Sequence, residues 1–88
     1  MVQVRKKTGL VQEFDSNKII SSVSKSADRV SVELTPTKKK KIIDLVLENI
    51  KDMEVINVKD LHTIVELSLD DVDPRIAKSY REYNTEVA

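Results

Sequence analysis

The 88-residue sequence predicts an α+β fold in which a small N-terminal β-hairpin caps a bundle of four short helices. Two observations lead to this prediction. Alternating apolar and polar residues flank a lone glycine near the N-terminus, a pattern typical of a hairpin. Beyond residue 15, apolar residues recur at helical spacing in four stretches, each preceded by a capping residue. Residues 1–88 are therefore expected to form one domain.

Residues 2–14 form the predicted hairpin. Val2 and Val4 alternate with polar residues, and Gly9 lies in the turn, where only glycine adopts a positive φ at low cost. An isolated hairpin is marginally stable in water, so this one is expected to pack against helices. The short apolar link from Met53 to Ile56 is a candidate third strand.

The first helix is expected over about residues 16–30, with Asp15 or Ser16 as its cap. Its apolar face is predicted to consist of Ile20, Val23, Ala27 and Val30. The intervening serines are expected on the solvent side: Ser21, Ser22, Ser24 and Ser26. This spacing places Ile19 outside the predicted core face.

The other three helices open at Thr35-Pro36, at Asn57 and at Asp73-Pro74. The apolar face of the second helix is predicted to be Ile42, Ile43, Val46, Leu47 and Ile50. That of the third helix is predicted to be Leu61, Ile64, Val65 and Leu69. That of the fourth helix is predicted to be Ile76, Tyr80, Tyr83 and Val87. The lysine run from Lys38 to Lys41 spreads around the second helix and is interpreted as a solvated surface.

Composition excludes several classes of function. Without cysteine the chain has no disulfide, thiolate zinc site, iron–sulfur cluster or thiol nucleophile, and a single histidine leaves no metal pair or catalytic triad. With one glycine it cannot build a glycine-rich phosphate loop, so side chains and helix ends must hold any phosphate. Fifteen basic residues balance fifteen acidic ones, so nucleic acid is not an expected partner. The charged N-terminus and the lack of a long apolar run predict a cytoplasmic protein without a membrane partner.

Two segments of the chain resemble a known family. Val4-Arg5-Lys6-Lys7-Thr8-Gly9, followed by Phe14-Asp15 and Lys18-Ile19, resembles the opening of the ATP-cone family. The segment Ile76-Ala77-Lys78-Ser79-Tyr80, followed by Tyr83, resembles the ending of that family. The resemblance covers essentially the whole chain. It implies an allosteric regulatory domain that binds ATP or dATP, with or without Mg²⁺, between the hairpin and the helices. It further implies the N-terminal activity-control module of a ribonucleotide reductase, with a catalytic domain or subunit and a second copy of the chain as partners.

The resemblance also assigns a nucleotide site. Lys6 and Lys7 would contact phosphates, and Gln12 and Asp15 would meet the adenine edge. The full expected set is Val4, Lys6, Lys7, Gln12, Phe14, Asp15, Lys18, Ile19, Val58, His62 and Tyr83. The chain departs from the family pattern at Lys7 in place of arginine, Thr8 in place of aspartate, Gln12 in place of glutamate, and Asn84 in place of a basic residue.

Seven of these assignments have a purely structural alternative. Lys6 and Lys7 could form an ordinary solvated strand edge, Asp15 could be only a helix cap, and His62 could be a surface residue. Gln12 could face solvent from its strand. Ile19 could pack against the hairpin, and Tyr83 could pack in the core with Tyr80.

Two other functions stay open at this point. The chain could be a degenerate cone kept as a protein-interaction module, or a regulatory domain associated with DNA binding. The DNA-binding version of the family carries a cysteine-ligated ribbon, which these 88 residues lack. An independent enzyme has the least support, because the sequence offers no nucleophile–base set; any catalytic role would belong to a reductase of which the chain is a part.

Overall fold

The computed structural model describes residues 2–87, and of residues 83–87 it describes the backbone alone. In chain order the elements are β1 (Gln3–Arg5), β2 (Val11–Glu13), α1 (Ser16–Arg29), α2 (Pro36–Ile50), β3 (Val55–Asn57), α3 (Val58–Val72) and α4 (Pro74–Val87). The predicted α+β class is confirmed. The described helices lack the combination of length and apolar character that a bilayer span requires.

The three strands form one small sheet in the order β2-β1-β3. Strands β1 and β2 pair antiparallel, with Val4 opposite Gln12, and Gly9 lies in the turn between them with φ +89°. Strand β3 pairs parallel to β1, with Ile56 opposite Val4, so the candidate third strand is present. A parallel neighbour requires a long crossover, and α1 and α2 supply it.

Local capping chemistry starts three of the four helices as predicted. The side chain of Asp15 accepts a hydrogen bond from the Asn17 N–H at 2.9 Å, and Thr35 Oγ1 accepts one from the Lys38 N–H at 3.2 Å. Asp73 caps α4 in the same way. Helix α3 also begins where predicted, with Asn57 as its N-cap, although the Asn57 side chain makes no capping hydrogen bond.

One hydrophobic cluster joins the sheet to the helices. Its fully buried centre comes from all four helices, and Val2 and Ile56 extend it under the sheet. The side chains at this centre with no solvent exposure are Val23, Ile42, Val46, Ile50, Val65, Leu69, Ile76 and Ala77. In α2 the predicted face is narrower than expected, since Ile43 is half-buried and Leu47 is 40% exposed.

The buried face of α1 is rotated relative to the prediction. Ile19, Val23, Ser26 and Ala27 are buried, whereas Ile20 is half-buried and Val30 is exposed. Val30 leaves the face because α1 ends at Arg29. The prediction that Ser26 faces solvent was wrong because α4 packs over it: Ser79 Oγ donates to the Ser26 carbonyl at 2.7 Å, and Ser26 Oγ donates to the Ser22 carbonyl.

The lysine run is not wholly a solvated surface either. Lys38 is half-buried, and its Nζ lies 3.0 Å from Oδ2 of Asp73, whose side chain is only 5% exposed. Arg75 donates to the same carboxylate through Nε and Nη2. This ion-pair cluster joins the start of α2 to the start of α4, over a separation of 35 residues.

Candidate functional site

A cleft of about 180 Å³ lies between the hairpin and the first turns of α1 and α3. Nine of the eleven side chains predicted for the nucleotide site line it: Val4, Lys6, Gln12, Phe14, Asp15, Lys18, Ile19, Val58 and His62. Lys7 is exposed in the turn beside the cleft and does not line it. Tyr83 lies outside the residues whose side chains the structure describes.

Strand register and helix starts bring these side chains together. Val4 and Gln12 stand opposite each other on neighbouring strands, and Phe14 follows β2 directly. Strand β3 runs without a loop into α3, so the first turn of α3 lies against the sheet. Val58 and His62 are one turn apart on that helix and therefore share the face that meets the cleft.

Four further residues line the cleft: Glu13, Ser22, Leu61 and Tyr80. Helical spacing could have identified Ser22, one turn after Lys18, and Leu61, three residues after Val58. No local signal points to Tyr80, because α4 reaches the cleft only through tertiary packing. Glu13 ends β2 and carries a negative charge into a site whose other charges are mostly positive.

Two polar contacts organise the α1 side of the cleft. Lys18 Nζ donates a hydrogen bond to Gln12 Oε1 at 3.3 Å. Asp15 caps α1 through the Asn17 N–H and also borders the cleft, so its capping role and a ligand contact are compatible. A lysine in the first turn of a helix opposes the helix dipole, and the contact with Gln12 gives Lys18 a partner there.

His62 stands between an aromatic ring and charges of both signs. Its ring makes an edge-to-face contact with Tyr80, with centroids 6.1 Å apart. Burial lowers the pKa of His62 below 6.5; Glu66 opposes this effect and Lys7 adds to it. The imidazole is therefore neutral at pH 7, and a bound anion would favour its protonated form.

The cleft combines an apolar interior with a charged border. Phe14, Ile19 and Leu61 supply apolar walls. The border carries the positive charges of Lys6 and Lys18 and the negative charges of Glu13 and Asp15. This arrangement suits a ligand with a flat apolar part and an anionic part. Among the described residues, no three acidic or histidine side chains gather as metal ligands. The cleft is smaller than typical small-molecule pockets of ~300–1,000 Å³, so an extended anionic group would continue past it toward the hairpin turn.

Comparison with known proteins agrees with this geometry. A family model described as the ATP cone domain matches residues 2–87, which is nearly the whole chain. No curated protein matches the chain. The family match indicates a nucleotide-binding domain of allosteric regulation.

Proposed function

The chain belongs to the ATP-cone family, and from this premise we propose that its cleft binds ATP or dATP as an allosteric effector. The observation that carries the proposal is the cleft itself. A β-hairpin bearing adjacent lysines faces the N-terminal turns of two helices across an apolar floor. A purine fits the apolar part, and a triphosphate fits the lysines at the turn end of the hairpin.

The phosphates belong at the turn end of the hairpin. Lys6 borders the cleft, and Lys7 is near enough to His62 for its charge to lower the pKa of that imidazole. Lys6, Lys7 and His62, each of which can carry positive charge, therefore lie at this end of the cleft and could hold phosphates without a glycine-rich loop. An Mg²⁺ ion, if bound, would arrive with the phosphates. The base then lies on the side of Gln12 and Phe14, with Ile19 and Val58 as apolar walls.

Titration with nucleotides tests the binding proposal. ATP and dATP should each release or absorb heat in calorimetry and should raise the melting temperature of the chain. A ligand at 100 times its dissociation constant stabilises the folded state by about 2.7 kcal/mol. GTP serves as the comparison nucleotide. The absence of both calorimetric heat and a melting shift at millimolar ATP and dATP would contradict the proposal.

Matched lysine variants test where the phosphates bind. Lys6→Met should weaken ATP binding by roughly tenfold or more, because a charge-assisted hydrogen bond contributes about 1.5–3 kcal/mol. Lys25→Met removes the same charge from an exposed position of α1 outside the cleft and should leave affinity unchanged. Equal affinities of the two variants would place the triphosphate elsewhere.

The regulated protein in this proposal is a ribonucleotide reductase, of which the chain would be the N-terminal activity-control module. The chain would then associate with the catalytic part of the enzyme, or with a second copy of itself, in a way that differs between ATP and dATP. Size-exclusion chromatography of the chain with a reductase catalytic subunit, in each nucleotide, measures this difference. If the same complex forms with ATP, with dATP and without nucleotide, the domain is an interaction module and not a sensor.

A further inference from the structure

The contact between Gln12 and Lys18 bears on which purines the cleft accepts. We propose that Gln12 presents a hydrogen-bond donor to position 6 of the base, so that the cleft binds 6-oxopurine nucleotides about as well as ATP. The proposal rests on the proposed nucleotide-binding function. It concerns a specificity-determining contact made by one side chain.

The orientation of the Gln12 amide follows from its partner. The ammonium group of Lys18 has only donors, so the group that faces it at 3.3 Å must be the amide oxygen. The amide nitrogen, with two N–H donors, is left for a ligand. Gln12 lines the cleft and is half-buried, so a base in the cleft would meet these donors.

The position of Gln12 along the hairpin places it beside the base and not beside the phosphates. Lys6 and Lys7 lie at the turn, and the charge of Lys7 lowers the pKa of His62. Gln12 stands opposite Val4, two residues and roughly 7 Å along the strand from Lys6. Phe14 lies further still from the turn and also lines the cleft.

The 6-amino and 6-oxo purines differ at position 6 in whether they donate or accept a hydrogen bond. Adenine carries an amino donor there, whereas guanine and hypoxanthine carry a carbonyl acceptor. An amide N–H can donate to that carbonyl, or to a ring nitrogen of adenine. A carboxylate in the same place could accept from the amino group and would repel the carbonyl. If Lys18 turns toward the phosphates when a nucleotide binds, the amide is free to rotate and still serves either base.

Calorimetric titration of the 88-residue chain with ATP and ITP tests the proposal, with GTP as a second 6-oxopurine. ITP is the sharper probe because it differs from ATP at position 6 and in the protonation of the adjacent ring nitrogen, and it lacks the 2-amino group of GTP. The wild-type affinities for ATP and ITP should agree within about tenfold. Gln12→Glu should raise the ratio of ATP to ITP affinity by about 5- to 150-fold, the discrimination typical of one base contact.

Gln3→Glu is the matched control. It makes the same chemical change on β1 at an exposed position outside the cleft, so the affinity ratio should not move. The ratio of ATP to ITP affinity in the wild-type chain requires no variant, so it tests the proposal whether or not Gln12→Glu folds. ATP binding with ITP more than about 100-fold weaker, or an unchanged ratio in a folded Gln12→Glu variant, would overturn the inference and leave the proposed function intact. A failure of ATP, ITP and GTP alike would contradict the proposed function, and the inference would fall with it.

Discussion

Replacing Asp73 with asparagine tests whether its ion pairs with Lys38 and Arg75 hold the helical bundle together. The carboxylate accepts hydrogen bonds from Lys38 Nζ at 3.0 Å and from the Arg75 N–H at 3.0 Å, and its side chain is 5% exposed. Asparagine keeps an oxygen for the backbone N–H, so the cap of α4 survives. The negative charge that faces both the Arg75 guanidinium and the Lys38 ammonium is lost.

The expected cost follows from that lost contact. A hydrogen bond between charged groups contributes about 1.5–3 kcal/mol. Lys38 is partly exposed and Arg75 is 71% exposed, so solvent screens both ion pairs and the lower end of the range applies. We expect Asp73→Asn to lower the free energy of unfolding by about 1.5 kcal/mol. For a domain of this size, the melting temperature should fall by about 6–12 °C. Asp71→Asn, at an exposed position of α3, is the control and should change stability by less than about 0.5 kcal/mol.

The pH dependence of this difference has a definite sign. Hydrogen bonds from Arg75 and Lys38 hold the pKa of Asp73 well below its ordinary value of 3.8. A carboxyl group with a depressed folded-state pKa stabilises the fold fully above the unfolded pKa and loses that effect as the pH falls toward the folded pKa. Urea unfolding should therefore show the full gap between wild type and Asp73→Asn at pH 7 and a narrowing gap below about pH 4. A gap under about 0.5 kcal/mol at pH 7, or one equally large at about pH 3, would refute the reasoning.

Three other perturbations probe the core, the turn and the cleft. Leu69→Ala should cost about 2–5 kcal/mol in urea unfolding because the side chain is fully buried, whereas Leu67→Ala, at 61% exposure, should cost less than about 0.5 kcal/mol. Gly9→Ala should cost about 1 kcal/mol in thermal unfolding because its φ is +89°, and an unchanged melting temperature would contradict this. If His62 pairs with a phosphate, ATP affinity should rise as the pH falls from neutral toward the pKa of His62 in the free protein, which burial lowers below 6.5, because binding then requires proton uptake. Calorimetry of His62→Gln should show that rise abolished.

Features that depend on neighbouring residues were predictable from sequence. The caps at Asp15, Thr35 and Asp73 are set by side chains bonding to backbone groups two or three residues away. Gly9 marked the turn for an equally local reason. The orientation of α1 was not predictable in this way. Its periodicity allows several rotations, and the packing of α4 decided that Ser26 is buried.

The same distinction separates the predicted from the unpredicted parts of the site. Family resemblance located nine of the cleft residues, because motif positions in a conserved order map onto one place in the fold. Tyr80 was missed there because its approach depends on how α4 crosses α1 and α3. The contact of Lys18 with Gln12 was also missed, since six residues and a change from strand to helix separate them.

The cleft lies between the β-hairpin and the helical bundle, and this position suggests how a bound nucleotide would regulate a partner. The helices share a continuous buried core, whereas the hairpin joins that core through few side chains, chiefly buried Val2 and half-buried Val4 and Phe14. Strand β2 lies at a sheet edge, and Val11 on it is 38% exposed. The hairpin is therefore the less firmly held side of the cleft. A ligand that contacts both sides adds interactions between the hairpin and the helices. The free energy of binding is thus available to set the position of the hairpin relative to α1 and α3, and a partner that touches the outer face of the sheet would sense that position.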